Sequence, residues 1–329
     1  MGSMLLTAPP PAPSGAQHRR RGWRFTWPTA VVAFLTLAGS ALLLYPATAS
    51  WLSQYQQSQL IVGLSAEQVP DSPQRATELH RAREYNDLLV SGALLEANAH
   101  KPTGAAADVA GFDYRSLLDA TPEGVMGRLR VPAIDVDLPI YHGTDDVTLT
   151  KGVGHLEGTS LPVGGLSQRS VLTAHRGLPE ATLFDDLDRV VVGDTFTIEV
   201  YGEVLTYQVT ETKVIEPEDT DTLRVVAGKD LVTLVTCTPL GVNTHRILVT
   251  GERVTPTPLR DVQQAGAVPD IPGFPWWAVA SFAVIFAVGA YVFLAGRPKQ
   301  GGAGAPKARS SRPYTRRDTP EFATRPGDT

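Results

Sequence analysis

The chain contains one cysteine, Cys237, set in TLVTCTPLGVNTHRILVTG (233–251), and Arg246 stands nine positions after it. LVTLVTC reads as a short apolar strand, TPLGVNT carries the proline and glycine of a connecting loop, and RILVT reads as the next strand. If the two strands pair as neighbours, Cys237 and Arg246 lie on one edge of a sheet. A guanidinium there favours thiolate over thiol and lowers the cysteine pKa. It also suits an oxyanion formed when the sulfur attacks a carbonyl. The alternative is that Cys237 is a small buried hydrophobe. A single cysteine excludes an intrachain disulfide, a CxxC redox pair and a multi-cysteine zinc site.

A cysteine nucleophile acting on an acyl group needs a proton carrier for the leaving amine, and histidine suits that at neutral pH. Of the seven histidines, His18 falls in the basic N-terminus and His80 and His100 in the segment before the strands. His142, His155, His175 and His245 remain, and spacing does not choose among them. His175 follows the apolar run SVLTA and precedes Arg176 and Gly177, so it sits at a strand end as Cys237 does.

The elements that must position these groups begin at Gly124. From there β-branched runs alternate with glycine, proline and aspartate: RLRVPAIDVDLPIY, SVLTAH, DTFTIEVYGEVLTYQVTETKVI, LVTLVTC and HRILVTGERV. The Tyr201-Gly202 pair between two alternating runs reads as a hairpin turn. The pattern predicts a compact, mostly antiparallel barrel with few helices and no internal repeat. Before it, residues 71–98 open on Asp71-Ser72-Pro73 and place Leu79, Ala82, Tyr85, Leu88, Leu89 and Leu95 at helical spacing. They read as one or two amphipathic helices interrupted near Gly92, followed by the loop AHKPTGAAADVAGFDY.

Two apolar stretches set the compartment. No charge occurs from Phe25 to Ala66, and Phe274–Gly296 is a second apolar run with a tryptophan pair at its edge. Each supplies about the 20 residues that cross a bilayer. Ala47-Thr48-Ala49 also fits a signal-peptidase site, so the first stretch is a signal anchor or a cleaved signal peptide. RRRGWR precedes the first span and RPK with KARSSRPYTRR follows the second, which by the positive-inside tendency puts both termini in the cytoplasm and the middle outside the cell. The formal net charge is −5. With both ends basic, the exported part carries about −14, which argues against nucleic-acid binding.

TLVTCTPLGVNTHR resembles the active-site signature of sortases, and VLTAHRG resembles their histidine segment, in the same order and with 61 residues between the histidine and the cysteine. With GRLRVPAIDVDLPIYHG and GVGHLEGTSLPVGG, the similarity covers roughly residues 120 to 255. TCTP, NTHR, the helical segment before the barrel and the second span are most similar to the class C, pilus-building sortases of Gram-positive bacteria. The resemblance implies Cys237 as nucleophile, His175 as acid/base and Arg246 as the group that orients substrate and stabilises the tetrahedral intermediate, with His155 and His245 structural. It implies a closed eight-stranded barrel and a substrate with a C-terminal LPxTG-like sorting signal. The pilin would be held as a thioester on Cys237 and passed to a lysine of the next pilin, without metal or cofactor. Class C enzymes carry an Asp-Pro-aromatic lid triplet before the barrel; neither Lys101-Pro102 nor Asp108 with Phe112 reproduces it, so no lid anchor is assigned.

The expected organisation is therefore a basic cytoplasmic N-terminus (1–25), a membrane span (26–51), an extracellular helical segment with its loop (52–120), a mostly β catalytic barrel (121–256), a linker (257–273), a second span (274–296) and a basic cytoplasmic tail (297–329). Two other functions compete with pilin polymerisation. One is a housekeeping sortase that anchors proteins to the peptidoglycan precursor; the other is a non-enzymatic exported binding module, in which the thiol would be inert.

Overall fold

The computed structural model describes residues 23–67, 73–89, 108–109, 111–121 and 123–297. Leu95 and most of the loop AHKPTGAAADVAGFDY, including Lys101 and Pro102, lie outside the described residues.

Between Val125 and Arg253 eight strands form a closed barrel. They are β3 (Val125–Val131), β4 (Val136–His142), β5 (Val153–His155), β6 (Gln168–Thr173), β7 (Thr195–Val200), β8 (Glu203–Ile215), β9 (Asp230–Thr238) and β10 (His245–Arg253). Around the barrel the order is β10-β8-β7-β3-β4-β5-β6-β9. The mostly antiparallel expectation holds, with β4·β5 and β6·β9 as the parallel pairs. Tyr201 and Gly202 make the expected tight turn, both at positive φ (48° and 73°), and Val200 pairs with Glu203 across it. Alternating side chains such as Leu129, Ile140, Phe196, Ile198, Tyr207, Val232, Leu234 and Val249 fill the interior. Phe196 stacks on Tyr207 with ring centroids 5.6 Å apart. It lies over Gly251, where a Cβ would come within 2.6 Å of the ring, so only glycine fits beside it.

Before the barrel, α2 (Pro73–Leu88) buries Leu79, Ala82 and Tyr85 as the spacing predicts, whereas Leu88 is exposed because the helix ends there. Asn86 ties α2 to the loop after β5: its Nδ2 donates to Leu161 O (3.0 Å) and Gln168 Oε1 (2.9 Å), and its Oδ1 accepts from Leu161 N (2.7 Å). Downstream comes a short ribbon of β1 (Asp108–Val109) and β2 (Phe112–Asp113). The following Tyr114 is buried, and its hydroxyl meets His155 Nδ1 at 2.8 Å.

Two helices are long and apolar enough to cross a membrane, α1 (Trp27–Glu67) and α5 (Trp276–Ala295). α1 runs on past residue 51, and its last turns bury Ile61 and Leu64, the latter against Val125 and Tyr141 of the barrel. The stretch expected as a linker (257–273) is hydrogen-bonded along the barrel wall. Thr257 Oγ1 donates to Val204 O (3.1 Å), and Thr206 Oγ1 donates to Asp261 (2.8 Å) in α4 (Leu259–Gln263), a helix about as short as α3 (Asp146–Lys151) between β4 and β5. Gly266 N donates to Glu199 (2.9 Å), and Arg128 Nη1 donates to Ala267 O (2.7 Å). Arg128 is 1% exposed and makes a two-pronged pair with Asp137 at 2.7 and 2.6 Å. A charge so buried is tolerated because every face of the guanidinium meets an acceptor.

Candidate active site

The antiparallel register of β9 and β10 sets Cys237 directly opposite Arg246. The connection between them, 239–244, turns through Gly241 and Asn243, both at positive φ, and is closed by Val242 N and Asn243 N donating to Pro239 O (3.1 and 2.9 Å). The turn holds the guanidinium in place, since Arg246 Nη1 donates to Asn243 O (2.9 Å) and His245 O (3.0 Å).

On its other side β9 runs parallel to β6, with Thr173 opposite Val235. The pairing continues one step beyond β6: Ala174 N donates to Val235 O (3.2 Å) and Thr236 Oγ1 to Ala174 O (2.8 Å). His175 thus stands two residues past Thr173, as Cys237 stands two past Val235, and the two backbones are level at one end of the barrel. His175 is half-buried, and its carbonyl accepts from Phe184 N (3.1 Å). The residues singled out in the sequence therefore converge from three adjacent strands, β6, β9 and β10.

Of the other barrel histidines, His245 stands opposite Thr238 at the same end of β9, whereas His142 and His155 lie elsewhere. His155 is fully buried between Tyr114 and the Ser160 carbonyl (Nε2 to O, 2.9 Å), and burial pushes its pKa down to about 4. His142 is buried with Nε2 at 2.6 Å from Leu117 O, and desolvation lowers its pKa as well. His245 Nδ1 meets Thr244 Oγ1 at 2.9 Å.

The thiol's electrostatics correct an expectation. Arg246 does act to lower the Cys237 pKa, but burial acts the other way and is the larger effect, so the pKa lies above its ordinary value. The reason is that Cys237 is 7% exposed: a thiolate there loses more hydration than a guanidinium held by two carbonyls returns. Two groups passed over in the sequence also belong to the neighbourhood. Arg176 donates through Nη1 to Thr238 Oγ1 (3.2 Å), so a residue beside the histidine bonds a residue beside the cysteine. Their only sequence signal is adjacency. Among the described residues, no cluster of His, Cys, Asp or Glu is arranged to hold a metal ion.

Comparison with known proteins gives the site a context. A model of the sortase domain matches residues 129–254. Over 133 residues the chain is 34% identical to sortase D of Bacillus subtilis, a match covering 39% of this chain and 64% of that protein. The crystal structure of sortase C-1 from Actinomyces oris aligns at 51% identity and a TM-score of 0.50, covering 55% of this chain and 98% of that one. Sortase C1 from Streptococcus agalactiae aligns at 39% identity and a TM-score of 0.54, covering 60% of this chain and all of that one (100%). The chain thus spans slightly less than two thirds of the B. subtilis protein and nearly the whole of both crystallised domains.

Proposed function

Since the chain belongs to the sortase family, we propose that it is a membrane-anchored cysteine transpeptidase of the pilin-polymerising, class C kind. The observation that carries this reading is the convergence of Cys237, Arg246 and the His175 loop at one barrel end through the β6·β9·β10 pairing. The class rests on the identities of 39% and 51% to structures of class C enzymes.

In this reading an LPxTG-like sorting signal lies along the end of β9. Burial keeps Cys237 largely as the thiol at neutral pH, so His175 takes the sulfur's proton as the attack begins. The S–C bond forms to the threonine carbonyl, and the oxyanion is met by Arg246. As the intermediate collapses the C–N bond to glycine breaks, and the imidazolium gives its proton to the departing amine. The pilin remains as a thioester on Cys237. The lysine amine of the next pilin then attacks that carbonyl, passing a proton through His175, and an amide forms as the thiol leaves. A thioester suits this role because it keeps acyl reactivity until an amine arrives. Both apolar helices serve as anchors, with the barrel outside the cell and the termini inside.

The test is to incubate membranes carrying the full chain with a pilin bearing the sorting signal. Wild type should yield a hydroxylamine-sensitive adduct and lysine-linked polymer, and Cys237→Ala neither, with its unfolding midpoint within about a few degrees of wild type. Polymer from Cys237→Ala would end the proposal. Transfer to a peptidoglycan-type amine with no pilin polymer would replace it with the housekeeping reaction.

A further inference from the structure

Three corners of the Arg176 guanidinium are occupied. Nε donates to the Asp185 carbonyl (2.8 Å), Nη2 pairs with the Asp188 carboxylate (2.8 Å) and Nη1 donates to Thr238 Oγ1 (3.2 Å), while the side chain is only 8% exposed. The first two partners lie in the segment that returns beneath the histidine loop. There Gly177 N also donates to the Asp185 carboxylate (2.5 Å), so that the loop and the returning segment form one unit. The third partner belongs to a different strand. Thr238 follows Cys237 and precedes Pro239, whose carbonyl closes the turn that holds Arg246.

Such a residue does more than fill space. If its work were to stabilise the loop alone, the bonds to Asp185 and Asp188 would suffice. The bond to Thr238 instead couples the loop to the strand that carries the sulfur. A planar fork held at three corners cannot swing, unlike a lysine ammonium on a flexible stem. Proton delivery is sensitive to such placement, since an error of about 1 Å in a reacting group costs up to about 100-fold.

We propose that Arg176 is a positioning residue that fixes the His175 loop against the Cys237 strand through the Thr238 hydroxyl, and so sets the proton path between imidazole and leaving amine. Its role is to act through His175, and the proposal rests on the roles given above to Cys237 and His175.

The test uses the full chain in detergent micelles with a fluorescent sorting-signal peptide, reading kcat, KM and unfolding temperature. Thr238→Val keeps the shape of the side chain and removes the hydroxyl; kcat should fall on the order of tenfold with KM within about twofold. Thr238→Ser restores the hydroxyl and should restore kcat to within about threefold. Arg176→Lys should lose at least as much as Thr238→Val, and Asp188→Asn, which leaves the Thr238 corner intact, less than about threefold. Wild-type kcat in Thr238→Val, an equal loss in Asp188→Asn, or losses that follow unfolding temperature across the set would overturn the proposal. Cleavage by a Cys237→Ala control is a separate result: it removes the underlying site assignment, and the positioning role with it.

Discussion

At the scale of single residues, the thiol is the informative group. Burial holds the Cys237 pKa above its ordinary value and Arg246 only partly opposes it. The rate of alkylation of the folded protein by iodoacetamide should therefore still be climbing at pH 9, beyond the midpoint of about 8.5 seen for a free cysteine. Arg246→Met should move that midpoint further up, since it removes the group that favours the thiolate. A plateau reached below pH 8 would show that the charge outweighs burial. The facing of Cys237 and Arg246 was legible in the sequence because both flank one short loop between two apolar runs. The sign of the pKa shift was not legible, because it depends on how deeply the folded barrel buries the sulfur, and β9's neighbour β6 comes from about 60 residues away in the chain.

At the scale of elements, what sequence pattern could reach was local. The Tyr201-Gly202 hairpin follows from two alternating runs around a pair that accepts positive φ, and α2 follows from the spacing of Leu79, Ala82 and Tyr85. The parallel pairing of β6 with β9 had no local mark, since neither strand contains anything that names its partner. The course of residues 257–267 was equally hidden: Arg128 binds the Ala267 carbonyl across a separation of 139 positions. That buried arginine carries a prediction. Arg128→Ala would leave Asp137 with only its longer contact to Arg130 (3.8 Å), remove the Arg128 Nη1 pairing with Glu199 (3.9 Å) and free the Ala267 carbonyl, so the barrel should lose about 3–5 kcal/mol in urea unfolding. A loss below about 1 kcal/mol would mean that water takes the place of the guanidinium.

At the scale of the whole molecule, the apolar runs were the plainest signal, and they became α1 and α5. The 41 residues of α1 extend about 60 Å, twice the hydrocarbon core of a bilayer, which accounts for a helix whose far end packs on the barrel rather than in lipid. In a Cys237→Ala background, Asp219→Cys should react with a membrane-impermeant maleimide on intact cells, and Ser310→Cys only after permeabilisation. The opposite pattern would invert the proposed topology. The β6·β9 pairing also bears on when the chain becomes reactive. Joining strands about 60 residues apart is among the slower steps open to such a fold, because the loop entropy is lost before the ladder repays it. In the proposed topology, while the chain is still emerging across the membrane the histidine segment would be outside before its cysteine partner. On the proposed roles, the unfinished polypeptide would hold the proton carrier without its nucleophile, and acylation competence would arrive together with ring closure of the barrel, as a by-product of folding rather than of a separate activation step.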